Sequence, residues 1–175
     1  MKNGVASEKI IDGLSENGFD RRSCCDSTVP LYRAYQPARI DHFYTTSAQE
    51  RDNAASALGY SNEGTAAQVF PAVASGAVPL YRAYQPSKVD HFYTTSAQER
   101  DNAVSALGYS NEGVAAYVYP SAQCGSVPLY RLYQPSEVDH FYTTNAQERD
   151  NAVASLGYSY EGVAGYVNPV KGAYC

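Results

Sequence analysis

The sequence predicts an α+β protein in which three near-identical units share one core around a pseudo-threefold axis. Three observations lead there. The stretch that begins at Val29 recurs at Val78 and Val127, and Pro30 to Val78 differs from Pro79 to Val127 at only 12 of 49 positions, so one local structure must form three times. Within each unit the pattern changes from strand-like to helix-like and back. A unit this small also cannot cover its own apolar face, so its copies must supply the cover. Closing such an array would remove exposed strand edges, and the copies lack the divergence of the capping repeats that end an open stack. The nearest shapes are a single closed domain of β-trefoil-like or small propeller-like form. The expected organisation is a non-repeat arm over residues 1–28, repeats at 29–77, 78–126 and 127–175, the last with the C-terminal tail, and one domain made of all three repeats.

Each element has a local reason. Leu31-Tyr32-Arg33-Ala34-Tyr35 is short, aromatic and bounded by prolines, which predicts a strand. Gln36-Pro37 opens a turn, and His42-Phe43-Tyr44-Thr45-Thr46 returns as the second strand of a hairpin. Ser47 and Glu50 form a capping box, repeated by Ser96 with Glu99 and, with another good N-cap, by Asn145 with Glu148. The helix should run about three turns to Leu58, with Gly59 as its left-handed terminator. Gln49-Glu50-Arg51-Asp52 predicts a solvated helix face, whereas Ala54, Ala55 and Leu58 predict a buried patch. Residues Thr65 to Phe70 predict a third strand.

Composition narrows the function. The 17 tyrosines stand against 5 phenylalanines and no tryptophan; tyrosine suits a hydrated partner as well as a core. A net charge of −5 and a pI of about 5.1 remove the general attraction to phosphates, so nucleic acid is not expected as a partner. No apolar run is long enough to span a bilayer, and the opening residues lack the apolar core of a signal peptide, so the expected location is cytoplasmic or secreted without a visible signal peptide, with no membrane insertion. Four cysteines fit no familiar zinc spacing, and neither a metal nor any other cofactor is expected. Cys24 and Cys25 precede the first repeat, and Cys175 lies where a fourth would begin. In a closed threefold array those positions coincide, which predicts a disulfide from Cys175 to Cys24 or Cys25.

The ordered set PLYRxYQP, DHFYTT, ERDNA and LGYSxEGxAxYV resembles a tyrosine-rich tandem-repeat family of unassigned function, found in fungal proteins and as accessory repeats on secreted carbohydrate-active or cell-wall enzymes. The resemblance covers residues 29 to about 170. It implies a non-catalytic binding role with cell-wall or glycoprotein glycans as the target, and it supplies no catalytic residue to carry over.

The residues themselves point the same way. All three histidines, His42, His91 and His140, occupy one repeat position, each after an aspartate (Asp41, Asp90, Asp139), and each unit has a strand arginine (Arg33, Arg82, Arg131). Together they supply acceptors and donors of the kind that read sugar hydroxyls. Tyr44, Tyr93 and Tyr142, together with tyrosines such as Tyr32, Tyr35 and Tyr60, could add stacking faces. Glu63, Glu112 and Glu161 sit beside glycines in the loop before the third strand and could touch a ligand. Asn62 and Asn111 become Tyr160 in the third unit, so the third site is expected to differ. The opposing reading is that arginine and aspartate pair to fix the turn while histidine bonds backbone. The function these residues suggest is a multivalent lectin with up to three similar sites and no catalytic activity. A protein-interaction module, such as a protease inhibitor or structural wall protein, is the alternative. A glycoside hydrolase using Asp41 and Glu63 is a third reading, weakened because its active site would occur three times.

Overall fold

A computed structural model of the chain describes residues 28–170. Repeat 1 contains β1 (Val29–Gln36), β2 (Asp41–Thr45), α1 (Ala48–Ala57) and β3 (Ser61–Val69). Repeat 2 contains β4 (Val78–Gln85), β5 (Asp90–Thr94), α2 (Ala97–Ala106) and β6 (Ser110–Val118). Repeat 3 contains β7 (Val127–Gln134), β8 (Asp139–Thr143), α3 (Ala146–Ser155) and β9 (Ser159–Val167). Three β-β-α-β units with pseudo-threefold symmetry therefore match the sequence expectation. Among the described residues no helix is long and apolar enough to cross a membrane.

The expected closed β-trefoil-like or propeller-like sheet does not form. The strands make three separate, open, three-stranded sheets in the orders β2-β1-β3, β5-β4-β6 and β8-β7-β9. The cause lies in β2 and its copies, whose free edges face the axis. There the ladder positions are taken by side chains: the Tyr93 hydroxyl accepts from the Tyr44 N–H at 2.8 Å and donates to the Tyr44 carbonyl at 2.6 Å. Tyr142 holds Tyr93 in the same way, and Tyr44 holds Tyr142. A strand edge already satisfied by tyrosine hydroxyls has nothing left to offer another strand. Among the described residues single bridges, Gln68 with Asn168, Phe70 with Tyr117 and Tyr119 with Tyr166, link the third strands.

Alternation along the strands sorts the side chains. One sheet face sends Leu31, Tyr44, Ala67 and Val69, with their copies apart from Gly165 at the Ala67 position of repeat 3, into a common core. The other carries Ala34 and Phe43, which pack with Ala54 of α1 and with Tyr60. The helix is less buried than its sequence predicts: Ala54 is its one buried residue, Ala55 is exposed, and the capping Leu58 is 63% exposed.

The helix start also differs from a simple capping box. Ser47 accepts from the Glu50 N–H at 3.1 Å, but the Ser47 N–H donates to the Thr45 hydroxyl, which itself bonds the Glu50 carboxylate. Glu50 is thereby released from the cap and aimed outward. At the other end Gly59 has φ +77°, the left-handed terminator expected there. Gln36 joins this end to the hairpin turn, donating to the Leu58 carbonyl and accepting from the Ala38 N–H, both at 2.8 Å. Ile40, Val89 and Val138, just before the aspartates, also have positive φ, a costly conformation for a β-branched residue.

The third strand starts at Ser61, before the expected Thr65, and is irregular. Its register against β1 shifts between Leu31 and Tyr32 and between Arg33 and Ala34, which leaves Ala66 and Glu63 as the extra residues of two bulges. Cys124 is disulfide-bonded. The expected bond from Cys175 to Cys24 or Cys25 falls outside the described residues.

The tyrosine hydroxyls are predicted to be decisive for stability. Tyr93→Phe strands the buried N–H and carbonyl of Tyr44, a cost on the order of 2–6 kcal/mol at about 1–3 per group. Urea denaturation should show a clearly lower midpoint, and an unchanged midpoint would mean that the axis is held by packing alone.

Candidate functional site

The register of the hairpin fixes which side chains share a face: Arg33 stands opposite Tyr44, and Tyr35 opposite His42. Arg33, Tyr35 and His42 thus form one row on the face whose inner end is the core. This row packs across the junction against repeat 3. The Arg82 row likewise meets repeat 1, and the Arg131 row meets repeat 2.

Across each junction the aspartate and histidine pair. Asp41 accepts from the His91 N–H at 2.9 Å and from His91 Nδ1 at 2.7 Å, and the Tyr60 hydroxyl donates to the same carboxylate. Asp90 holds His140 and Tyr109 in the same way, and Asp139 holds His42 and Tyr158. The sequence places aspartate beside histidine within a unit, but the working partner comes from the neighbouring repeat. The three aspartates are 0% exposed, and their oxygens lie within 4.8 Å of one another, close enough for a cation. Each carboxylate is already committed to three protein donors. Burial, and then the charge of Asp41, push the Tyr60 hydroxyl above its ordinary pKa and keep it a donor.

Because a carboxylate only accepts, Nδ1 of each histidine carries a proton and Nε2 remains for other partners. Nε2 of His140 lies 4.0 Å from Glu161. The imidazoles are wedged between aromatic rings: His42 lies 4.7 Å from Tyr35 and 4.6 Å from Phe141.

The arginines complete each junction. Arg33 forks onto Glu148 of α3 with two bonds of 3.1 Å, and its Nε lies 2.8 Å from Glu63. Arg82 does the same with Glu50 and Glu112, and Arg131 with Glu99 and Glu161. Each guanidinium also lies 5.4 Å from a phenylalanine ring of the neighbouring repeat. Glu63 reaches Arg33 because it is a bulge residue. Glu50, expected on a solvated face, is instead half of an inter-repeat ion pair.

These contacts leave clefts between repeats. At the repeat 1–repeat 3 junction a cavity of about 670 Å³ is lined by Arg33, His42, Glu63 and Thr65 on one side and by Phe141, Asn145, Glu148 and Asn151 on the other. At the repeat 3–repeat 2 junction a cavity of about 280 Å³ has Arg131, Tyr133, His140 and Glu161 facing Phe92, Glu99 and Asn102. Of the residues expected to bind, Arg33, His42 and Glu63, with Arg131, His140 and Glu161, line clefts. Arg82, His91 and Glu112 form the equivalent group at the repeat 2–repeat 1 junction. Asp41, Asp90 and Asp139, and Tyr44, Tyr93 and Tyr142, do not reach a ligand: they are buried and hold the rest in place. Asp41 is closed off from solvent and bonded to His91 and Tyr60, whereas Glu63 lines a cleft. The opposing turn-fixing reading misplaces the arginines, whose partners are glutamates. Tyr160 is 46% exposed and stands beside Tyr130 and Arg149.

Burial tends to raise the pKa values of Glu50, Glu99 and Glu148, but the arginine fork and the threonine hydroxyl outweigh it and hold each below the ordinary glutamate value. A folded-state pKa below the unfolded one stabilises fully above the unfolded value and is lost as pH falls through the folded value. Thermal unfolding midpoints should therefore decline as pH drops below about 4.5. The triple variant Glu50→Gln, Glu99→Gln, Glu148→Gln should start lower at neutral pH and decline less in acid. An acid slope equal to that of the parent would show that these pairs contribute nothing.

No curated protein and no solved structure matches the chain. A family profile does match, over residues 22–168, which spans all three repeats. The chain belongs to the DUF5648 family, a domain of unknown function.

Proposed function

We propose that the protein is a multivalent carbohydrate-binding protein, a lectin without catalytic activity of its own, whose ligands are cell-wall or glycoprotein glycans. The observation that carries this reading is the recurrence between repeats of one set of groups around a recess. The set comprises an imidazole with Nε2 turned from its aspartate, a guanidinium held by two carboxylates, and an aromatic ring. Sugar hydroxyls both donate and accept, and a recess that offers imidazole, carboxylate and carboxamide atoms beside a ring face answers both needs. The groups are also held in advance. Imidazole and guanidinium are each fixed by charged partners at 2.7–3.1 Å, so little side-chain freedom is lost on binding.

Open recesses of this kind bind weakly one at a time. Repetition within one rigid chain compensates by engaging a repetitive surface at several points, which raises apparent affinity roughly a hundredfold or more without any new contact.

A glycan array that includes fungal and bacterial wall polysaccharides should retain the protein, and soluble monovalent forms of the same sugars should compete poorly. Glu63→Gln, Glu112→Gln and Glu161→Gln combined should abolish retention while leaving the circular dichroism spectrum unchanged. Failure to bind across the whole array, or undiminished binding by the triple variant, would overturn the reading.

A further inference from the structure

We infer that the recesses are unequal: the repeat 1–repeat 3 cleft is the principal site, and it takes a neutral saccharide in preference to an acidic one. This rests on the carbohydrate reading above and adds which recess dominates and which sugar chemistry it accepts.

The inequality follows from where the repeats depart from one another. At the position of Thr65, repeats 2 and 3 carry Val114 and Val163; at the position of Asn145, repeats 1 and 2 carry Ser47 and Ser96. Thr65 comes from repeat 1 and Asn145 from repeat 3, yet both line the same cleft. Asn145 caps α3 with its carboxamide oxygen, accepting from the Gln147 N–H at 2.9 Å and the Glu148 N–H at 3.2 Å. Its NH2 group is left to donate, which a serine cap cannot match with a second polar atom. Thr65 adds a hydroxyl where the other repeats present a methyl. Two substitutions far apart in sequence thus enrich one recess in sugar-reading atoms.

A third departure lies at the neighbouring junction. Gly165 stands where repeats 1 and 2 carry Ala67 and Ala116. A Cβ at Gly165 would lie 2.8 Å from Val118 Cγ2 and 3.4 Å from the Tyr119 carbonyl; without it, repeat 3 seats closely on repeat 2. There the Thr95 hydroxyl donates to the Ala164 carbonyl at 3.1 Å. The corresponding threonine of repeat 3, Thr144, instead lines the large cleft. The repeat 1–repeat 3 cavity measures about 670 Å³ and the repeat 3–repeat 2 cavity about 280 Å³.

Charge sets the sugar class. The large cleft contains Glu63 and Glu148 against Arg33, and both carboxylates already engage that guanidinium. Among the described residues that line the cleft no second arginine or lysine is present to meet a sialic acid or uronate carboxylate, which would face two glutamates. A neutral ligand meets no such repulsion.

The three histidines give a direct test, because each reports one junction: His42 the repeat 1–repeat 3 cleft, His91 the repeat 2–repeat 1 cleft, His140 the repeat 3–repeat 2 cleft. Imidazole resonances of the full chain are followed by NMR during titration with chitotetraose, cellotetraose and mannotetraose as neutral probes, and with sialyllactose and tetragalacturonate as acidic ones. The expected result is that at least one neutral probe shifts His42 with a Kd at least fivefold lower than that read at His91 or His140, and that acidic probes bind more weakly. The double variant Thr65→Val, Asn145→Ser, built from residues the other repeats already carry at these positions, keeps the fold and should bring the His42 response to the level of the other two. Equal midpoints at all three histidines, a first response at His91 or His140, preference for an acidic probe, or an unaltered double variant would overturn the inference and leave the carbohydrate reading standing. Silence of all three imidazoles toward every probe would overturn both.

Discussion

Six hydrogen bonds made by three tyrosine hydroxyls set the conditions for everything else in this fold. Each hydroxyl spans the N–H and carbonyl of the tyrosine in a neighbouring repeat, and the three rings meet edge to face at 5.4–5.5 Å. A tyrosine can do this because it is long enough to reach across the axis, rigid, and able to donate and accept through one atom. Phenylalanine would pack there but would leave the strand edges unpaired. The sheets consequently stop at three strands, and the repeats are joined by side chains. Side-chain joints leave recesses where a continuous ladder would leave none.

Around that axis the junction passes from buried to open groups. The axial tyrosines and the Asp-His-Tyr groups are buried together, with the aspartate oxygens within 4.8 Å of one another, while the Arg-Glu forks are partly exposed and border the clefts. Each set satisfies its own polar atoms: the aspartates take histidine and tyrosine donors, and the arginines take two glutamates each. Charges paired in this way are compensated before they meet solvent, which is the condition for burying them at all. The groups that border the clefts are held by these partners and still face the recess. The residues with the most exposed chemistry are therefore also the most firmly positioned.

Much of this was legible in the sequence because it is local. The period change, the Ser47 and Asn145 caps, Gly59 and the strand-strand-helix-strand order follow from propensity and turn chemistry within a few residues. The histidines could be recognised as equivalent because they share a repeat position. What could not be read is which copy meets which. Asp41 and His42 are adjacent in the chain and bond to different partners, since successive strand residues point to opposite faces. Glu50 looked like a solvated helix residue because its arginine comes from the next repeat. Tyr44 read as a ligand-facing ring, since nothing local distinguishes an axial tyrosine from a surface one. The bulges that expose Glu63 and Ala66 had one local signal, Gly64, whose φ of +88° suits a break in register.

The head-to-tail pairing of unlike faces has a consequence for how such a chain could arise. A lone unit presents the arginine face of one recess and the helix face of another, so it owns two halves that do not match each other in place. No recess exists until a second copy docks, and only at the third does every half find its complement, as in any rotational assembly built from one heterologous contact. Three separately encoded copies could satisfy the same geometry as a homotrimer. Joining them in one chain frees each recess to acquire its own residues, a divergence that a symmetric homotrimer forbids because any change appears in all three places at once.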